Sequence, residues 1–203
     1  MKYGKDYFKN LNYTDYLERR DKYLNHAKEL HEFLGRLGLI SEKSSIMDYG
    51  CAVGFLMEGF KELGYQNVYG YDISKWAVAQ AKAKGLKILN HIDHQSFGVI
   101  ICLDVFEHMT DREIHKVFNQ YESNVMIVRI PCSSDGKRFM LNISNNDPTH
   151  SNLKTKNGWL KLLKKLGYTT ILPLNLLTIY DTPGVMCALG LKPKAYLNHK
   201  SSL

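Results

Sequence analysis

The sequence predicts an α/β fold with a parallel βαβ unit in its first half, and three observations carry that prediction. An apolar run, Ile46 and Met47, ends in Asp48 and passes into a glycine-spaced turn at Gly50, Ala52 and Gly54. An amphipathic stretch with Phe55, Leu56, Phe60 and Leu63 follows and is stopped by Gly64. A second apolar run, Val68 to Tyr71, ends in Asp72. Strand, tight turn, helix and parallel strand in that order make one right-handed crossover, with a carboxylate at the tip of each strand.

The remaining elements follow in chain order. From Tyr16 the positions Tyr23, Ala27, Leu30, Leu34 and Leu37 recur every three or four residues, and Gly38 supplies a stop. One long amphipathic helix is therefore expected from Tyr16, with Tyr3, Tyr7, Phe8 and Tyr13 as an aromatic leader ahead of it. Leu86 to Leu89 is the expected third strand and Val99 to Cys102 the fourth. A buried fifth runs to Pro131 through Val125, Met126, Ile127, Val128 and Ile130. Thr110 and Glu113 have capping-box spacing, so a helix burying Ile114, Val117 and Phe118 should start there. A further helix carries Trp159, Leu160, Leu162, Leu163 and Leu166 to a stop at Gly167. Strands at 170–173 and 184–191 close the chain, with the loop 178–183 between them. We read one domain: an N-terminal edge helix or lid at 1–40, a core at 41–192, and a basic tail at 193–203.

Composition agrees with a globular chain. At 203 residues, 44% hydrophobic and 23% charged, there is material for one good core. No apolar run is long enough to cross a bilayer, and the first ten residues lack a secretory apolar segment. Cys51, Cys102, Cys132 and Cys187 show no paired spacing and fit reduced thiols in a cytoplasmic protein. The net charge of +7 raises the question of nucleic acid. The lysines are scattered, and those at 161, 164 and 165 alternate with leucines, as on a solvated helix face. Nucleic acid is therefore not the expected partner; a small acceptor, with the charge available to steer an anionic one, is.

The turn has the geometry of a nucleoside site. Glycines allow close backbone approach, the helix N-terminus opposes negative charge, and a strand-tip acid accepts two ribose hydroxyls. The spacing Asp48-x-Gly50-x-Ala52-x-Gly54 differs from the dinucleotide pattern: an acid two residues before the first glycine repels a pyrophosphate and attracts an ammonium. This resembles the first motif of class I S-adenosylmethionine-dependent methyltransferases, with Ala52 at the usual middle glycine. Leu103-Asp104-Val105-Phe106-Glu107-His108 resembles their strand-four signature, although the acid usual before the strand is Gly98 here. Asp147-Pro148-Thr149-His150 with the Trp159 helix and Gly167-Tyr168 resembles the branch acting on sugars, polyketides and quinone-like metabolites.

The resemblance implies a Rossmann-like, seven-stranded, mostly parallel sheet with helices on both faces and an antiparallel C-terminal hairpin. It implies S-adenosylmethionine as cofactor and S-adenosylhomocysteine as product. Asp48 and Gly50 would face the amino-acid end, Ala52 and Gly54 shape the turn, and Asp72 take the ribose. Ile73 would pack on one adenine face, with Asn90, His91 and Ile92 along adenine's edge, and Leu103 and Asp104 would border the sulfonium. The aromatic leader becomes a candidate lid, with Tyr13 and Tyr16 reaching the methionine end. His150, three residues after Asp147, is the expected general base; His108 is a second candidate with a structural alternative. The cluster His91-x-Asp93-His94 is a third, and no metal is assigned to it. Asp104, Asp147 and His150 remain an alternative set for a divalent ion.

The expected reaction is O-methylation, or N-methylation, of a small metabolite or sugar. An RNA methyltransferase and a catalytically silent cofactor- or partner-binding module on the same fold stay as alternatives. The loop Pro131-Cys132 follows the fifth strand, not the fourth, which argues against a nucleophilic cysteine.

Overall fold

The structure, a computed structural model, describes residues 3–10, 16–90 and 94–193. Helix α1 (Lys5–Asn10) and a short 3-10 turn (Tyr16–Glu18) precede helix α2 (Arg20–Arg36). Then come strand β1 (Ile46–Tyr49), helix α3 (Phe55–Glu62), strand β2 (Val68–Tyr71), helix α4 (Lys75–Ala83) and strand β3 (Lys87–Ile88). Strands β4 (Gln95–Ser96) and β5 (Val99–Leu103), helix α5 (Asp111–Phe118), and strands β6 (Tyr121–Glu122) and β7 (Val125–Pro131) form the middle. Helices α6 (Asn142–Asn145) and α7 (Lys156–Lys165) and strands β8 (Thr170–Pro173) and β9 (Val185–Leu191) complete it.

Seven strands form one sheet in the order β3-β2-β1-β5-β7-β9-β8. Six run in the same direction; β9 inserts between β7 and β8 and runs antiparallel to both. The expected sheet, hairpin and helices on both faces are present. Alternation within the strands divides the core into two layers. Ile46, Ile101 and Ile127 pack with α2 and α3. Met47, Ile100 and Met126 pack with α5 and α7, around Trp159. The chain winds outward from β1 to β3, then returns to β5 and winds the other way. That reversal opens a crevice beyond the carboxyl ends of β1 and β5, the place where open α/β sheets bind ligands.

The capping box forms as the sequence predicts: Thr110 accepts from the Glu113 amide and Glu113 Oε2 accepts from the Thr110 amide at 2.7 Å. The single helix expected from Tyr16 is interrupted. Arg19 adopts φ −88°, ψ 15°, and α2 starts after it, because Tyr16 turns inward to stack on Phe55 and pack on Tyr23 and Phe8. The third strand is shorter than expected: Leu86 leaves the ladder and packs beside Gly54. The parallel pairing of β4 with β6 was not legible in the sequence. All four cysteines are free and buried. Burial pushes the Cys132 and Cys187 thiols up to about 11 and about 12, so neither is poised as a nucleophile. Among the described residues no helix is long and apolar enough to cross a membrane.

Candidate active site

The turn after β1 is fastened to the tip of β2. Gly50 and Cys51 amides donate to the Tyr71 carbonyl at 2.8 and 3.0 Å. Gly50 has φ +86°, and a Cβ there would lie 2.3 Å from Val105 Cγ2, so only glycine fits. Ala52 takes the left-handed region at φ +48°, and its amide donates to Asp72 Oδ2 at 2.8 Å. The other Asp72 oxygen accepts from the Ser74 amide at 2.7 Å. Asp72 is thus built into the turn: burial raises its pKa, and these two amides pull it back.

A cavity of about 360 Å³ opens over this turn. Of the residues singled out from sequence, Asp48, Gly50, Ala52, Asp72, Ile73, Leu103, Asp104 and His108 all line it. Gly54 lies one step behind, at the N-terminus of α3. Asn90 is exposed and accepts from Lys82 Nζ at 2.7 Å; among the described residues it does not line the cavity. His91, Ile92 and Asp93 lie outside the described residues, as does Tyr13. Asp48 is only 5% exposed, and burial followed by repulsion from Asp72 pushes its carboxyl up to about 8.

One wall is aromatic and includes the N-terminal leader that the sequence offered as a candidate lid. Tyr3, Tyr7, Phe8, Tyr16 and Tyr23 close one side. Ser74 Oγ donates to the Tyr3 carbonyl at 2.6 Å, and the Tyr7 hydroxyl donates to Asp147 Oδ2 at 3.0 Å. The N-terminal segment therefore spans from the tip of β2 to the loop after β7. Burial and Asp147 raise the Tyr7 pKa, so it stays a phenol.

A second cavity of about 110 Å³ adjoins the first and shares Tyr23, Leu103 and Asp104 with it. Asp147 and His150 line this one, with Glu107, Arg129, Arg19 and Lys22. Asp104 has φ +57° and pairs with the Arg129 guanidinium. Arg129 is the charged break in the otherwise apolar β7, and the sequence did not single it out. The segment 147–152 is stitched to the end of β5: the Ser151 and Asn152 amides donate to the Glu107 carbonyl at 2.8 and 2.9 Å. This brings the His150 and His108 rings to 4.5 Å between centroids. Burial, then His150, lower the His108 pKa to about 4, so it is neutral near pH 7.

Residues 16–172 match the methyltransferase-domain family model. The chain belongs to this methyltransferase family. By family and fold it is a class I S-adenosylmethionine-dependent methyltransferase. Solved structures agree on the fold. Magnesium protoporphyrin IX methyltransferase from Synechocystis PCC 6803, with bound SAH, superposes at TM-score 0.63 and 19% identity, covering 93% of this chain and 97% of that one. A SAM-dependent methyltransferase from Archaeoglobus fulgidus gives 0.58 at 14%, covering 82% and 94%. The methyltransferase domain of bacterial CtHen1-C gives 0.57 at 16%, covering 83% and 98%. No curated protein matches the sequence. A cavity of this size is large enough for a nucleoside with an amino-acid tail.

Proposed function

We propose that this methyltransferase acts on a hydroxyl oxygen of a small acceptor held in the 110 Å³ cavity, with His150 taking the proton. One observation carries the reading. His150 Nδ1 lies 2.6 Å from the Ser144 carbonyl, which can only accept, so Nδ1 holds the ring proton. Nε2 is left as a buried acceptor with no hydrogen-bond partner, and His150 is among the residues lining that cavity. Asp147 Oδ2, 3.7 Å away, would steady the imidazolium that forms. His108 is too weak a base at neutral pH and lines the larger cavity.

Cofactor binding would use Asp48 against the ammonium, the Asp72 carboxylate on the ribose, and exposed Ile73 on adenine. Leu103 and Asp104 would border the transfer point. Bound S-adenosylmethionine supplies an already activated methyl group, so the protein's own tasks are alignment and proton removal. Residues 3–10 serve as a strap, tied down at Ser74 and Asp147. Arg19, Lys22 and Arg129 line the smaller cavity beside Asp104, Glu107 and Asp147, so its charge is balanced and a neutral hydroxyl-bearing acceptor fits as well as an anionic one. A small acceptor is favoured over RNA: Lys154 and Lys156 on the α7 side are engaged by Asp111 and Asp181. Methyl transfer from labelled cofactor to phenolic, sugar and carboxylate-bearing acceptors tests the reading. His150→Gln should lower kcat about 100-fold or more while leaving cofactor affinity in place; unchanged kcat would refute the base.

A further inference from the structure

Glu107, His108 and His150 each place one ligand atom within 4.8 Å of the others. The Glu107 and His150 side chains are 1% and 6% exposed, and Glu107 Oε2 and His150 Nε2 both lack a hydrogen-bond partner. Two orphaned polar atoms in one buried cluster are unusual, because each has lost its water with nothing in return.

The protons sharpen the point. His150 carries its proton on Nδ1, so the Nε2 lone pair confronts Glu107 Oε1 at 3.9 Å and Asp147 Oδ2 at 3.7 Å. Those distances are too long for hydrogen bonds. His108 behaves likewise. Its Nδ1 lies 2.9 Å from Thr149 Oγ1, whose single hydrogen goes to Asp147 Oδ1 at 2.5 Å. Thr149 must accept from His108, which leaves Nε2 of His108 with the lone pair. Both imidazoles are thus anchored through Nδ1–H to an oxygen, the arrangement that orients metal-binding histidines.

The other nearby carboxylates are spent. Asp104 is paired with Arg129, and the two Asp147 oxygens are taken by Tyr7 and Thr149. The set Asp104, Asp147 and His150, left open by the sequence, is therefore not the one that presents free donors. We propose that Glu107, His108 and His150 form a binding site for a divalent first-row transition-metal ion. Two imidazole nitrogens and one carboxylate favour manganese through zinc over magnesium or calcium. Three protein ligands leave coordination positions open, and Glu107 and His150 line the smaller cavity where the acceptor would sit. The proposal rests on oxygen methylation in that cavity. When the ion is bound, His150 is a ligand and not the base: the ion lowers the pKa of the acceptor hydroxyl, whose proton passes to water.

The test is titration of the chelator-treated full chain with cobalt(II), read by visible absorption and by thermal unfolding. One equivalent should bind, give ligand-field bands, raise Tm, and be displaced by zinc. Glu107→Gln and His150→Gln should each abolish the bands and the Tm rise. If Glu107→Gln does not fold, His108→Ala, at a partly buried ring, serves in its place. No stoichiometric uptake by the wild type, or equal uptake by all variants, overturns the site. Cofactor binding is titrated separately on metal-free protein. Binding there without metal uptake overturns the site and leaves His150 as base. Metal uptake without cofactor binding supports the site and breaks the methyl-transfer reading instead.

Discussion

Replacing Asp48 by Asn tests how the cofactor cavity is charged before anything binds. Asp48 is fully inside the end of β1, faces the Asp72 carboxylate, and its pKa is pushed up to about 8. The native chain therefore holds a proton there that the unfolded chain has lost. Stability from this group is complete below about pH 4 and is lost as pH rises through about 8. At pH 7 the unfolded carboxyl, titrating near 3.9, lies about three pH units past its midpoint; at about 1.4 kcal/mol per unit that disfavours folding by about 4 kcal/mol. Asn is the same size and cannot ionise. Asp48→Asn should then raise Tm at pH 7 by several degrees and remove the decline of wild-type stability between pH 5 and 8. The variant should bind S-adenosylmethionine at least about tenfold more weakly, because a bound ammonium can no longer draw the proton off Asp48 and pair with the resulting carboxylate. Thermal unfolding across pH, with calorimetric titration at pH 7, reads both effects. A less stable variant with the wild-type pH slope would show that the carboxylate is ionised and supported in the free protein, and would refute the reasoning.

Three further outcomes follow from the same geometry. Asp72→Ala removes the acceptor of the Ala52 and Ser74 amides as well as the expected ribose contact, so cofactor affinity should fall at least about tenfold by calorimetry. Gly70→Ala would place a Cβ 2.4 Å from Met57 Sδ and 2.8 Å from Cys51 Sγ; about 1–3 kcal/mol of stability should be lost in urea unfolding, since the crowding falls on packed side chains. The four buried thiols should react slowly with a disulfide reagent in the native protein and all react in denaturant; a rapidly reacting thiol would show that a cysteine is accessible after all.

Much of this fold was legible because its signals are local. Asp48, Gly50, Gly54 and Asp72 mark a strand-turn-helix-strand unit whose spacing sets its geometry, and Thr110 with Glu113 marks a helix start. The turn also shows why Ala52 substitutes for glycine: alanine adopts the left-handed region at modest cost, and the Asp72 bond holds it there. What was not legible depends on distant partners. Tyr16 reads as the first position of a helix, and only packing against Phe8 and Phe55 turns it away. Asn90 sits next to the cofactor strands in sequence, yet it bonds Lys82 at the surface. Glu107 looked like part of a motif without a role. Its significance comes from His150, more than forty residues on, carried to it by backbone bonds between 151–152 and Glu107.

The most direct test of the account is calorimetric titration of the wild-type protein with S-adenosylmethionine and S-adenosylhomocysteine, with Asp72→Ala alongside. Micromolar binding of both ligands, lost or much weakened in the variant, is the expected result. Wild-type binding that Asp72→Ala leaves untouched, or no binding at all, would contradict a cofactor site built on the turn after β1 and the acid at the tip of β2.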